Sequence, residues 1–276
     1  MKLPGRRKSE ILTWVWTGFA LLTIYLPLFC TVLASFSRAR YFTFPIRSFS
    51  TRWWEQTLES LEIRTIITNS LLIAFSVTIL SVGIAFCGSL AFARFNWRGR
   101  KLFQKVLVLP IFFPQPVLGL ALLLFFNTFG IETSWRTAIF AHLVWIAPVA
   151  TLVMAIQVYG FDASLEEAAY DLGCSNLQVF REITLPLLWP GIQSGALFSF
   201  LLSWGNFPLS LYTSGADSTI PEWLYSKMVA GYTPMVPVLG TISTLGAATI
   251  FLMSGLLFIS IRRLQLHQLS RQDATK

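Results

Sequence analysis

The chain has 276 residues, 54% of them hydrophobic and only 12% charged, with a formal net charge of +8. Soluble domains carry about 25% charged residues, so this composition excludes an ordinary soluble globular protein, and equally a disordered, collagen-like or disulfide-framed secreted one. Ten Trp and 24 Phe add to the apolar excess, and the chain reads as an all-α polytopic membrane protein.

A bilayer crossing takes about 20 largely apolar residues in a helix. Six such spans are predicted in chain order: Leu12–Phe36, Ser70–Phe92, Val106–Phe126, Ala138–Tyr159, Ile192–Tyr212 and Val236–Ile259. Lys2, Arg6, Arg7 and Lys8 precede the first, as in a secretory signal, but its apolar run is too long for a signal core and five more spans follow. It is predicted to be a retained transmembrane helix. The longest segment outside the spans, Ser37 to Asn69, carries Trp53 and Trp54 between Arg52 and Glu55. That pattern predicts an interfacial anchor on a short amphipathic helix, in a tethering rather than a binding segment. Cys30 and Cys87 fall in spans and Cys174 in a cytoplasmic loop, a placement that suggests no exported disulfide.

Charge orients the spans. The N-terminal run, the loop Arg94–Lys105, Arg181 and the C-terminal tail hold 14 of the 21 Lys and Arg. The other side holds seven, diluted by Glu55, Glu59, Glu62, Glu132, Asp217 and Glu222. The positive-inside rule therefore predicts that both termini are cytoplasmic. The positive charge suits anionic membrane lipid. Nucleic acid is not indicated, since no basic face is interleaved with stacking aromatics.

Within the spans ionisable groups are scarce. No Asp, Glu, Lys or Arg lies mid-span, which disfavours an ion-coupled transporter. His142 is the one titratable candidate, with two readings: a neutral ring hydrogen-bonded to another helix or toward the lumen, or a substrate contact. Span three carries Pro110, Pro114, Pro116 and Gly119, and such irregular backbone is tolerated where it packs on protein or lines a cavity. Small residues in spans five and six allow close helix packing. Ser203, Gly205 and Asn206 in span five are, with His142, the candidates for lining a pathway.

The loop after span four has both length and pattern. Ser164 with Glu167 reads as a capping box opening a helix, Leu165, Ala168, Ala169 and Leu172 recur at helical spacing, and Gly173 fits a left-handed stop. Ser175 with Gln178 reads as the start of a second helix, closed by Pro186 and Pro190 before span five. Glu166, Glu167, Asp171 and Glu182 are predicted to form an acidic side. The segment is either an amphipathic connector on the membrane surface or a docking element for a cytoplasmic partner.

Residues 167–186 match the EAA signature of ABC importer membrane subunits without a gap: Glu167, Ala168, Ala169, Gly173, Ile183, Leu185 and Pro186. The chain thus resembles a type I importer permease over nearly its whole length. The resemblance implies a single transmembrane domain over 1–276, with a coupling loop at 160–190 in the bacterial inner (cytoplasmic) membrane. It implies that Glu167, Ala168, Ala169 and Gly173 sit in or beside the contact with the ATPase, with Ser164, Ile183, Leu185 and Pro186 shaping the loop. It implies two ATP-binding subunits, a second permease subunit (homologous or identical) and an extracytoplasmic solute-binding protein as partners. No cofactor would be bound by this chain; ATP and Mg would sit on the partner ATPase.

Ile220 to Ser243 further resembles the C-type permease of spermidine/putrescine importers. Where that family tends to have Ser-Phe-Asp-Asp-Phe, this chain has Ser203, Trp204, Gly205, Asn206 and Phe207. The resemblance implies polyamine import. Related permeases serve ferric iron, thiamine, phosphonate and other small solutes. The chain has no G-x-x-x-x-G-K-[ST] phosphate loop, no H-E-x-x-H motif and two His in all, which disfavours an ATPase or an intramembrane hydrolase. A structural subunit of a membrane complex is the remaining alternative of another class.

Overall fold

The computed structural model describes residues 4–41, 43 and 45–273, with side chains over 10–41, 43 and 45–260. Lys2 and Lys276, and the side chains at 6–8, 262, 263 and 271, which the charge argument used, lie outside the described residues. The described residues are mostly helical, with one isolated antiparallel bridge, Ser37 to Phe49, among them. Among the described residues five helices are long and apolar enough to cross a bilayer: α1 (Pro4–Ser35, apolar from Glu10), α3 (Leu61–Ala93), α6 (Trp135–Tyr159), the run Asn176–Trp204 and α12 (Met235–Asp273). A bent pair, Arg100–Phe112 with Gln115–Thr128, is a broken sixth span or a re-entrant loop. Between α1 and α3 lies α2 (Arg52–Glu59).

The third predicted span, Val106–Phe126, is not one helix. Instead α4 (Arg100–Val108) passes into a 3-10 turn at Leu109–Phe112, the chain breaks, and α5 (Gln115–Thr128) leaves at 102°. The prolines are the cause: Pro110 lies in the 3-10 turn, and Pro114, with ψ 127, places the next residues at the start of a new helix. The second span is longer than predicted, because α3 begins at Leu61. The fifth is displaced. Helix α9 (Leu185–Trp204) stops at Gly205, and Tyr212 belongs to a separate short helix, α10 (Pro208–Thr213). Asn206 Oδ1 accepts the Leu209 N–H at 3.1 Å and opens that helix.

Contacts group into two units, one from the described residues of Met1–Arg64 and Leu224–Gly246, the other from Thr65–Trp223 and Ala247–Lys276. In the first, the predicted Trp anchor is helical. Trp54 stacks on Phe36 at 5.4 Å and donates its indole N–H to Ser35 Oγ at 3.3 Å, while the Arg52 guanidinium lies over the Trp53 ring. Helix α11 (Ile220–Ala230) ends near Tyr232, whose ring stacks on Tyr41 at 6.2 Å. The three cysteines are free.

In the second unit, α6 and α9 form the core. Gly191 and Gly195 on α9 are buried against α6, and a Cβ on Gly191 would lie 2.8 Å from Gln157 Cβ. Only glycine permits that approach. Ser199 Oγ donates to Ser81 Oγ on α3 at 3.1 Å, and Met154 packs with Ala85 and Ala150. Half of the apolar window of α6 is buried, whereas none of the equivalent windows of α1 and α12 is.

Candidate functional site

The segment joining α6 to α9 begins at Gly160. Asp162 Oδ1 accepts the Ser164 N–H at 3.0 Å and opens α7 (Ser164–Asp171). The predicted capping box of Ser164 with Glu167 does not form, because Ser164 is already the first helical residue and the N-cap position falls on Ala163, whose side chain cannot cap. The backbone amide bond holds the exposed Asp162 carboxyl below the usual carboxylate range, with the Ser164 side chain adding to it.

Gly173 ends α7 with φ +86°. Its N–H reaches Tyr170 O at 2.9 Å and the Cys174 N–H reaches Ala169 O at 3.1 Å, the paired bonds of a Schellman stop. Ser175 and Gln178 then form the predicted capping box: the Ser175 N–H donates to Gln178 Oε1 at 2.8 Å and the Gln178 N–H to Ser175 Oγ at 3.5 Å. From here the structure departs from expectation. Helix α8 (Asn176–Val179) is not closed by proline; it runs through a π turn at Phe180–Thr184 directly into α9, which contains Pro186 in its first turn and Pro190 inside it. A proline ring displaces the carbonyl four residues back, and the π turn shifts the bonding pattern by one residue just ahead of Pro186.

The signature residues divide between two faces. Glu167, Ala168 and Gly173 are exposed, and so are Leu165 and Leu172 at 47% and 86%. Ala169 is buried, while Ile183, Leu185 and Pro186 are half-buried. The apolar row Leu165–Ala168–Leu172 therefore faces away from the chain's own core. The predicted acidic side loses one member: Glu166 is 5% exposed and pairs with Arg94, just past the end of α3, while Thr184 Oγ1 donates to its other oxygen. The Arg94 guanidinium also lies 5.1 Å from the Phe161 ring centroid. Sequence reading missed this group. Arg94 carried only a topological signal, and Glu166 was one acid among several beside the motif.

The four pathway candidates also separate. His142, Ser203 and Asn206 are buried, and Gly205 is exposed. His142 Nδ1 is 2.9 Å from Ser203 Oγ and Nε2 is 3.1 Å from Ser210 Oγ, which itself donates to Asn206 O at 2.9 Å. One imidazole thus ties α6 to α9 and α10, with its two nitrogens filling complementary donor and acceptor roles. Ser210 was not singled out because it lies past Pro208. Close by, Gly119 on α5 admits α10: a Cβ there would lie 2.8 Å from the Tyr212 ring. The loop that follows is pinned at both ends. Asp217 Oδ2 accepts the Trp135 N–H at 2.9 Å, and Ser70 Oγ accepts the Ile220 N–H at 2.8 Å. Glu222 Oε2 accepts from Ser214 Oγ at 2.7 Å, and burial pushes its carboxyl above the usual carboxylate range. Among the described residues no group of three His, Cys, Asp or Glu could hold a metal ion.

The chain is 29% identical to the spermidine/putrescine transport system permease protein PotC of Haemophilus influenzae, over 85% of this chain and 91% of that one. It is 30% identical to the putrescine transport system permease protein PotI of Escherichia coli K12, over 90% of each. Its fold matches a chain of a bacterial ABC transporter involved in the import of the acidic polysaccharide alginate, with a TM-score of 0.71 and 17% identity, over 92% of this chain and 97% of that one. Residues 83–271 match the family described as binding-protein-dependent transport system inner membrane component. With the all-α fold and its membrane-length apolar helices in place, the chain belongs to that family and is a permease subunit of an ABC importer.

Proposed function

We propose that this subunit forms half of a polyamine translocation pathway and that α7 is the helix through which a separate ATPase drives it. The observation that carries the coupling role is the outward apolar row Leu165–Ala168–Leu172, flanked by exposed Glu167 and closed by the left-handed turn at Gly173. In a protein–protein contact such a row supplies apolar area, and the small Ala168 permits close approach. ATP and Mg bind the two ATPase subunits, a second permease subunit, homologous or identical, completes the pathway, and an extracytoplasmic binding protein delivers the solute. Both termini lie in the cytoplasm, on the ATPase side of the inner membrane.

Import of spermidine or putrescine rests on the similarity to PotC and PotI. A second reading, another small solute, is favoured by Gly205 and Asn206, which put no carboxylate beside the His142 seam to offset a polycation's desolvation. Two measurements test these statements. Leu172→Cys is expected to cross-link to a cysteine placed in the ATPase cleft, and no cross-link at any cleft position rejects α7 as the coupling helix. Thermal stabilisation of the partner binding protein by spermidine or putrescine, and not by ferric iron, thiamine or phosphonate, supports the polyamine assignment. A selective response to another solute replaces it.

A further inference from the structure

Helix α7 has little to hold it. Its buried residues are Glu166 and Ala169, and among the described residues Glu166 is the only α7 side chain bonded to another part of the helical core. That bond is double. One carboxylate oxygen meets Arg94, at the end of α3, and the other accepts from Thr184, at the start of α9. The Phe161 ring packs on the guanidinium, and Phe161 is in the link from α6. Segments adjoining three membrane helices therefore meet at the Arg94–Glu166 pair.

A buried ion pair is a weak source of stability, since apolar residues of similar volume often serve as well or better; its best-attested use is to fix registry. The π turn at Phe180–Thr184 sits at this junction and brings Thr184 inward, also within 3.4 Å of Val179 O. Such turns concentrate at functional sites because they are costly to keep otherwise.

We infer that Arg94 and Glu166, with Thr184, form a strut that makes α7 move as one body with the adjoining ends of α3 and α9. They are positioning residues of transport: they touch neither solute nor ATPase, and they pass displacement of α7 into the helices. This inference rests on α7 being the coupling helix. The strut transmits because a carboxylate held from two sides resists both rotation and withdrawal, whereas apolar packing against Ala169 alone lets α7 slide.

The test uses the whole complex, purified with its ATPase and binding protein in lipid nanodiscs. The double variant R94M/E166L removes the pair without leaving a lone buried charge, so the loop keeps its packing. Basal ATP hydrolysis is expected to stay within about twofold of wild type while its stimulation by the binding protein falls about tenfold. The swap R94E/E166R is expected to restore part of that stimulation. Retained stimulation in R94M/E166L overturns the strut. Loss of ATPase assembly in that variant also overturns it, showing that the pair only folds the loop. The Leu172→Cys cross-link, measured in the same complexes, separates the two failures. A cross-link absent from an otherwise wild-type background rejects α7 as the coupling helix; one that persists while stimulation is lost supports the strut.

Discussion

The two ends of α9 are secured by different chemistry. At its Trp204 end, Ser203 joins His142 and Ser210 in a seam of neutral groups, each within 3.1 Å of its partner. At its Leu185 end, Thr184 joins a charged pair, Arg94 and Glu166. Enclosure accounts for the difference: His142 is fully buried, whereas Arg94 is partly exposed. In a fully enclosed apolar site a charge is expensive, and an imidazole with two hydroxyls gives direction without one. Where one partner reaches the surface that cost is lower, and an ion pair becomes affordable where segments must be held in register.

The largest effect should come from breaking the neutral seam. His142→Ala leaves the buried Ser203 hydroxyl without its partner, takes one of two partners from Ser210, and opens a cavity, which should cost about 2–4 kcal/mol. The thermal unfolding midpoint of the purified complex should fall accordingly; an unchanged midpoint would mean that the seam holds nothing. A smaller and more local effect is expected at the other end. Gly173→Val forces a β-branched residue into the left-handed region at a cost of about 1–2 kcal/mol. Amide exchange at Leu172, Gly173→Val and Cys174 should quicken while the global midpoint barely moves. Should the midpoint drop as far as it does for His142→Ala, the distinction between a globally and a locally stabilising end would be lost.

The smallest effects are in pH. Burial raises the Glu222 carboxyl, so the folded state holds its proton more tightly than the unfolded chain. The stability this adds is present in acid and is lost as pH rises through the raised folded value. Glu222→Gln should flatten that slope of midpoint against pH. Asp162 has the opposite sign: its carboxylate is favoured by the Ser164 N–H, so its contribution is present above the ordinary carboxylate range and fades as pH falls through its lowered value. Exchange at the Ser164 amide should quicken only at the acid end, and in Asp162→Asn the acid dependence should disappear.

What was legible in the sequence was local or compositional. The apolar runs gave the spans, Gly173 gave the end of α7, and Ser175 with Gln178 gave the start of α8, because each depends on residues within one turn. The cap of α7 was misplaced by one residue, since the N-cap position falls on Ala163 and Asp162 takes the Ser164 N–H from one residue earlier, a choice that backbone geometry makes. Three prolines signalled irregular backbone near Pro114 without signalling a 102° turn. Pro186 and Pro190 read as breakers, but a π turn absorbs the first and the helix continues. The Arg94–Glu166 contact joins segments far apart in the sequence, and no local pattern announces such a pair. His142 stood out by rarity alone; its partner Ser210 follows only from the packing of α10 against α6.

One consequence of that uninterrupted helix reaches across the whole membrane. From Asn176 to Trp204 it runs 29 residues, about 43 Å at 1.5 Å per residue, longer than the hydrocarbon thickness. Taken as a lever, it has its handle beside α7 and its tip in the His142 seam. Tilting such a rod by about ten degrees about one end carries the other through roughly 7 Å, on the same rise per residue. A modest push at the loop is thereby magnified at the far face, and no hinge inside α9 is needed for a permease to open there.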